Sequence, residues 1–275
     1  MNFEALISDP VEIDREYPAG MEELNIISDG SKLVAFLYTA QGKGPHPTIV
    51  FFHGIPGHEK SYDLAQALRR AGYNFLIFHY RGSWGSEGDY SIKNDIEDAQ
   101  CVVQTLKSLE KDNKYRVDPD NLILMGHSLG GFISFMTAAN NPEIEKVAFL
   151  AGANFGDMGQ QFFESGLSAE ELSKFLDSLV FPLKGVTSKQ LAQELIDNRE
   201  DWQLLNKIDK LKTHDILMVC GLRDDVVSME TVHKPLINAL KEKDAKIKEV
   251  VLDADHLFSD KRITLAKEIL CWLEK

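Results

Sequence analysis

Short apolar runs and stretches of helical periodicity alternate along most of the chain. Residues 48–53 (TIVFFH), 74–79 (NFLIFH), 122–126 (LILMG), 147–151 (VAFLA), 216–220 (ILMVC) and 247–252 read as strands. Those from 48 to 220 are almost continuously apolar, as parallel strands buried on both faces are. Two earlier strands, 23–28 and 33–39, are expected around the turn Asp29-Gly30-Ser31. Ile92, Ile96, Ala99, Val103 and Leu106 recur at helical spacing across 91–111, and Ile263, Ala266, Ile269 and Leu273 do so in a last helix. Strand–helix alternation of this kind predicts an α/β fold: a mostly parallel, twisted sheet of about eight strands with helices on both faces.

One stretch breaks the rhythm. Residues 153–212 contain no strand pattern, far more than an ordinary connection spans. Ser168-Ala-Glu-Glu171 and Thr187-Ser-Lys-Gln190 are capping-box patterns that open apolar periodic runs, so this segment is expected to be a small helical cap inserted in a single domain, 1–275. Phe155, Phe162 and Phe163 lie in it and are candidates to line a substrate pocket, with Phe175 and Phe181 further on. Gly152, Gly156 and Gly185 are candidate hinges.

Composition narrows the class. The net charge of −13 disfavours nucleic acid and anionic membrane surfaces as partners, leaving a small-molecule ester or a short peptide. The cysteines, Cys101, Cys220 and Cys271, are odd in number and far apart, which suits buried thiols rather than a disulfide framework or a zinc site. The acidic opening MNFEALISDPVEIDREYPAG does not read as a secretory leader, and no run is long enough to span a bilayer, so a cytoplasmic location is expected.

The chemistry concentrates at Gly126-His127-Ser128-Leu129-Gly130, directly after LILMG and before the helical run FISFMTAAN. This is G-x-S-x-G between a strand and a helix, the setting that lifts a serine hydroxyl out of a tight turn. A serine needs a base. Of eight histidines, His46, His53, His58, His79 and His127 precede Ser128, whereas the expected chain order is nucleophile, acid, histidine. His214 sits at the wrong end of its strand, and His233 reads as a surface helix position. His256, in the loop after the strand 247–252, is the candidate base. Asp224, in Gly221-Leu-Arg-Asp224-Asp225, is the candidate orienting acid; Asp225, Asp253, Asp255 and Asp157 are its competitors.

A tetrahedral oxyanion would need backbone N–H donors. Leu129, after the serine, and Ile55, in His53-Gly54-Ile55-Pro56-Gly57, are the candidates, since Pro56 has no N–H. The loop Tyr80-Arg81-Gly82-Ser83-Trp84-Gly85-Ser86-Glu87-Gly88 emerges beside them and could offer Arg81 or Trp84 to a substrate; the alternative is an Arg81 paired to a nearby carboxylate.

With HGIPG, YRGSWGSEG, GHSLGG, GLRDD and DADH in that order, the chain resembles the α/β-hydrolase superfamily from about residue 23 onward. Within it, the chain looks like bacterial serine hydrolases near the prolyl-oligopeptidase catalytic domain, the dienelactone hydrolases and the cinnamoyl or feruloyl esterases. That resemblance implies a Ser128–Asp224–His256 triad, oxyanion donors at Ile55 and Leu129, and neither metal nor organic cofactor. There are departures. The chain has no room for a propeller, and Ser128 stands where dienelactone hydrolases carry cysteine and haloalkane dehalogenases aspartate. The helical insertion falls where capped esterases carry a lid. Hydrolysis of small to medium carboxylic esters is the expectation, with a serine aminopeptidase and a non-catalytic binding protein as alternatives.

Overall fold

The computed structural model describes residues 2–275. Ten strands form among the described residues: β1 (Gly20–Glu23), β2 (Ile26–Ser28), β3 (Ser31–Leu33), β4 (Ala35–Thr39), β5 (His46–Phe52), β6 (Asn74–Phe78), β7 (Val117–His127), β8 (Lys146–Leu150), β9 (Asp215–Gly221) and β10 (Lys246–Leu252). Eight of them make one sheet in the order β1-β4-β6-β5-β7-β8-β9-β10. From β6 to β10 every neighbour is parallel, while β1 and β4 close one edge antiparallel.

The opening segment differs from the two strands expected of it. It breaks into four, because β2 and β3 fold on each other as a separate hairpin and leave β1 and β4 to the main sheet. Asp29 and Gly30 both take positive φ (44° and 75°), the requirement of a two-residue turn whose twist matches the strands.

Helices α1 (Tyr62–Arg70) and α10 (Arg262–Leu273) pack on one face of the sheet, and α2 (Ile92–Lys107), α3 (Leu129–Ala138) and α9 (Lys234–Glu242) on the other. The period of two along β5 explains the division: Ile49 and Phe51 enter the first core, Val50 and Phe52 the second. Helix α2 starts where Ser91 Oγ accepts from Asn94 N at 3.0 Å and stops at Lys107, short of the expected 111.

Between β8 and β9 run α4 (Phe155–Glu164), α5 (Ala169–Ser173), α6 (Asp177–Val180), α7 (Ser188–Asp197) and α8 (Ile208–Leu211), with a 3-10 turn at Leu204–Lys207. Both capping boxes form, at Ser168/Glu171 and Thr187/Gln190. Among the described residues, no helix is long and apolar enough to cross a membrane. The cysteines are free, but only Cys220 is buried; Cys101, whose Sγ donates to Ile27 O at 3.2 Å, and Cys271 are half-buried.

Candidate active site

Strand β7 ends at His127 and α3 begins at Leu129, leaving Ser128 alone in the turn with φ 58° and ψ −120°. Side chains avoid that region of backbone space unless the surroundings enforce it. Here the end of β8 does so. Ser128 N donates to Leu150 O at 3.0 Å, and Ser128 O accepts from Gly131 N and Ala153 N at 3.0 and 3.1 Å. The flanking glycines are steric necessities. A Cβ on Gly126 would lie 1.8 Å from Gly130 O, and one on Gly130 would lie 1.8 Å from Phe52 O.

His256 lies past the end of β10, on the same edge of the sheet. Its Nδ1 donates to Asp224 Oδ2 at 2.8 Å, and Asp224 Oδ1 accepts from Val226 N and Val227 N at 2.9 and 2.8 Å. Burial pushes the Asp224 carboxyl up, but the bond to His256 and those two N–H groups outweigh it and hold the group below the ordinary carboxylate range. With the proton on Nδ1, Nε2 is the nitrogen left to act as a base. The backbone of His256 is held from the serine turn: His127 Nε2 donates to His256 O at 2.8 Å.

The competing acids are placed differently. Asp225 is exposed, Asp253 pairs with Arg223 at 2.8 Å, Asp255 accepts from Ser259, and Asp157 accepts from Gln161.

The loop after β5 brings Gly54 against the serine; a Cβ there would lie 3.1 Å from Ser128 Cβ and 3.6 Å from Ser128 Oγ. His53 Nδ1 donates to Gly54 O at 2.8 Å. That carbonyl and the Ile55 N–H belong to one trans peptide, so pinning the first aims the second the opposite way. Ile55 N–H finds no acceptor among the described residues. Leu129 N–H, first in α3, has none within its helix.

Arg81 is taken up by the body of the protein. It is buried, and its guanidinium reaches Asp98 (2.7 Å), Glu97 (2.8 Å) and Asp29 (3.2 Å), which ties the 80–90 loop to α2 and to the β2–β3 turn. Trp84 Nε1 donates to Pro56 O at 2.5 Å and so props the loop that carries Ile55. Phe155 is buried on Phe132, with ring centres 5.4 Å apart. Phe162 packs on the edge of the core, and Phe163 lies on the surface under Arg199. His233 corrects the expectation of a surface position: it is buried, with Nε2 3.4 Å from Glu249, because the start of α9 packs down on β10. His214 is buried against Ile144 O. His53 and His127 are the supporting residues that sequence reasoning passed over. Each adjoins a motif position in the chain, but only the fold shows which carbonyl its ring grips.

A cleft of about 540 Å³ opens at the opposite edge of the sheet near Arg116 and touches none of these groups.

A mostly parallel sheet with the candidate serine, histidine and aspartate at one edge is the architecture of an α/β hydrolase. A family model described as serine aminopeptidase, S33, matches residues 43–212, and the chain belongs to that family. The match ends before Asp224 and His256. Among curated relatives, WAV2, an α/β-hydrolase domain-containing protein of Arabidopsis thaliana, is 27% identical over 225 residues, 78% of this chain and 68% of WAV2. The quorum-quenching protein AidA of Acinetobacter baumannii is 31% identical over 136 residues, 47% of this chain, and the match spans only 43% of AidA. Among solved structures, Est1E of Butyrivibrio proteoclasticus superposes with a TM-score of 0.70 at 19% identity, covering 92% of this chain and 99% of Est1E.

Proposed function

We propose that this hydrolase is a serine esterase that cleaves carboxylic esters of small to medium size through an acyl-enzyme. Ser128 Oγ attacks the ester carbonyl while His256 Nε2 takes its proton, and Asp224 steadies the imidazolium that forms. The N–H groups of Ile55 and Leu129 receive the oxyanion. His256 returns the proton to the departing alcohol, and water repeats the sequence on the acyl group. The observation that carries this reading is the 2.8 Å bond from His256 Nδ1 to Asp224, whose partner loops flank a serine held at φ 58°.

The substrate class follows from the surroundings. Leu222, Val226 and Leu257 are exposed on the loops that carry Asp224 and His256, and they offer apolar surface beside the base. The helices between β8 and β9 are read as a cap over the same edge. Est1E has been solved with ferulic acid bound, which is in keeping with an ester of modest size.

Hydrolysis of p-nitrophenyl esters from acetate to octanoate tests the proposal. Turnover with a chain-length optimum, lost in Ser128→Ala, is expected; wild-type turnover in that variant would overturn it. The family description favours one second reading, an amidase using the same residues. Faster cleavage of aminoacyl p-nitroanilides than of matched esters would decide for it.

A further inference from the structure

The chain that continues from the Ile55 loop, residues 58–63, faces the chain that continues from His256, residues 257–262, across a cleft of about 470 Å³. Most charges in that cleft are matched. Arg262 grips Asp63 through Nε and Nη2 at 2.7 and 2.6 Å and also donates to Leu257 O and Ser61 Oγ. Glu59 accepts from Ser61 N and lies 3.9 Å from Arg262.

Lys60 is different. Only 8% of the residue is exposed, yet among the described residues its ammonium makes neither an ion pair nor a hydrogen bond. Its Nζ stands 3.5 Å over the ring of Trp84. An ammonium carries three donors, and an aromatic face offers attraction to the charge without accepting those bonds in full. Burial accordingly holds the Lys60 pKa down, only partly offset by Glu59. An ammonium on a mostly buried side chain, with no counter-ion and with Nζ still open to the cleft, is free to pair with an anion that enters there. Trp84 places it next to the candidate site, since the same indole donates to Pro56 O in the loop that carries Ile55 N–H.

We propose that Lys60 is a specificity residue and that the preferred substrates are esters bearing a carboxylate, which pairs with the Lys60 ammonium while the ester carbonyl lies at Ser128. This rests on the reading of Ser128 as nucleophile and adds to it the charge of the substrate. The net charge of −13 gives such a substrate no long-range steering toward the protein, so recognition would be a short-range pairing in the cleft.

Two matched pairs of esters test it. On the acyl side, p-nitrophenyl hydrogen adipate is compared with p-nitrophenyl 6-methylheptanoate, whose branched end has the shape of the carboxylate without its charge. On the alcohol side, 4-carboxyphenyl butyrate is compared with 4-carbamoylphenyl butyrate. In at least one pair the anionic member should be favoured by about tenfold or more in kcat/KM. In Lys60→Met, which retains the apolar stem over Trp84, that ratio should fall to about twofold or less. No preference in either pair, or a preference that survives Lys60→Met, overturns the proposal. Should Lys60→Met fail to fold, wild type still decides. Raising salt from about 0.02 to about 0.5 M should lower the anionic-to-neutral ratio several-fold, and a constant ratio counts against it. Hydrolysis of the neutral esters, and its loss in Ser128→Ala, is read in the same assays. The failure of this inference is thereby distinct from the failure of the esterase reading.

Discussion

His127 Nε2 donates to the backbone carbonyl of His256 at 2.8 Å, and the two rings lie 4.8 Å apart. The residue before the candidate nucleophile therefore holds the loop of the candidate base. A carbonyl oxygen only accepts, so the proton of His127 is on Nε2. Removing that donor frees the His256 backbone while leaving its bond to Asp224 available. His127→Ala is expected to lower kcat about tenfold or more with a smaller change in KM, because misplacement by a fraction of an ångström weakens proton transfer more than binding. His127→Gln, whose amide can donate to the same carbonyl, should recover most of it. Equal kinetics in all three forms would show that the contact is incidental.

The same substitution separates a pH effect. Burial, and then the neighbouring His256, hold the His127 pKa down to about 3, well below its ordinary value of 6.5. A folded-state pKa below the unfolded one means that only the unfolded chain takes up the proton between about pH 6.5 and 3. Stability from this residue is complete above 6.5 and erodes as pH falls through that window, by roughly 1.4 kcal/mol per pH unit. His53 and His79, lowered to about 4 and about 3 chiefly by burial, act in the same direction. Buried Asp95, raised well above its ordinary value by burial, acts in the opposite one. Comparing wild type with His127→Gln cancels those shared contributions. Denaturant melts at pH 7 and pH 5 should show wild type losing stability relative to the variant, and a difference independent of pH would refute the assignment.

Much of the candidate site's arrangement is legible in the sequence, and the reasons are physical. The G-x-S-x-G turn is readable because Gly126 and Gly130 each face a backbone oxygen at a distance no Cβ could tolerate. His256 and Asp224 were legible by position, each just past the end of a strand on the nucleophile's edge of the sheet. What stayed hidden depends on contacts between distant segments. Arg81 sits in a loop of the right position, but its carboxylate partners come from α2 and from the β2–β3 turn, and no local pattern reports them. The burial of His233 and the splitting of the opening strands were hidden likewise, since each depends on what packs beside it. Lys60 reads as one more surface lysine until Trp84 is seen beneath it.

The glycines of the site divide into two kinds, and alanine substitution should tell them apart. At Gly126 the new methyl would overlap the backbone of Gly130 and Gly131, neither of which can retreat without unwinding the start of α3. Gly126→Ala is expected to destabilise the fold by about 3 kcal/mol, at the upper end of overpacking costs. At Gly54 the nearest atoms are Ser128 Cβ at 3.1 Å and Ser128 Oγ at 3.6 Å, a tight but yielding contact. Gly54→Ala should melt close to wild type while losing most ester turnover, because the methyl occupies the space in which Ser128 Oγ must meet a carbonyl. Thermal melts and kcat/KM measured together check both. A Gly54→Ala variant with full activity would remove Gly54 from the site.

The helices between β8 and β9 are fastened to the body by a carboxylate in an unusual place. Glu194, on α7, accepts from Ile92 N at 3.1 Å and from Lys93 N at 2.9 Å, thereby capping α2 from outside its own segment. Lys184 adds a backbone pair, donating to Gly82 O at 2.8 Å and accepting from Tyr90 N at 2.9 Å. The glycines expected as hinges are occupied in close contacts: a Cβ on Gly156 would lie 2.2 Å from Gln203 N, and one on Gly185 would lie 2.2 Å from Asp89 Oδ1. Losing an N-terminal cap costs about 1 kcal/mol, and a carboxylate at a helix N-terminus adds a favourable charge–dipole interaction. Glu194→Ala should therefore lower Tm by roughly 2–4 °C. It should also speed amide exchange across residues 184–198 relative to the sheet. Glu194→Gln should fall between the two, since its amide oxygen still accepts without the charge. If the helices cover the site, freeing them should also broaden the chain-length optimum of ester hydrolysis more than it changes kcat for the shortest ester. Unaltered exchange in Glu194→Ala would mean that the backbone pair at Lys184 holds the segment without help.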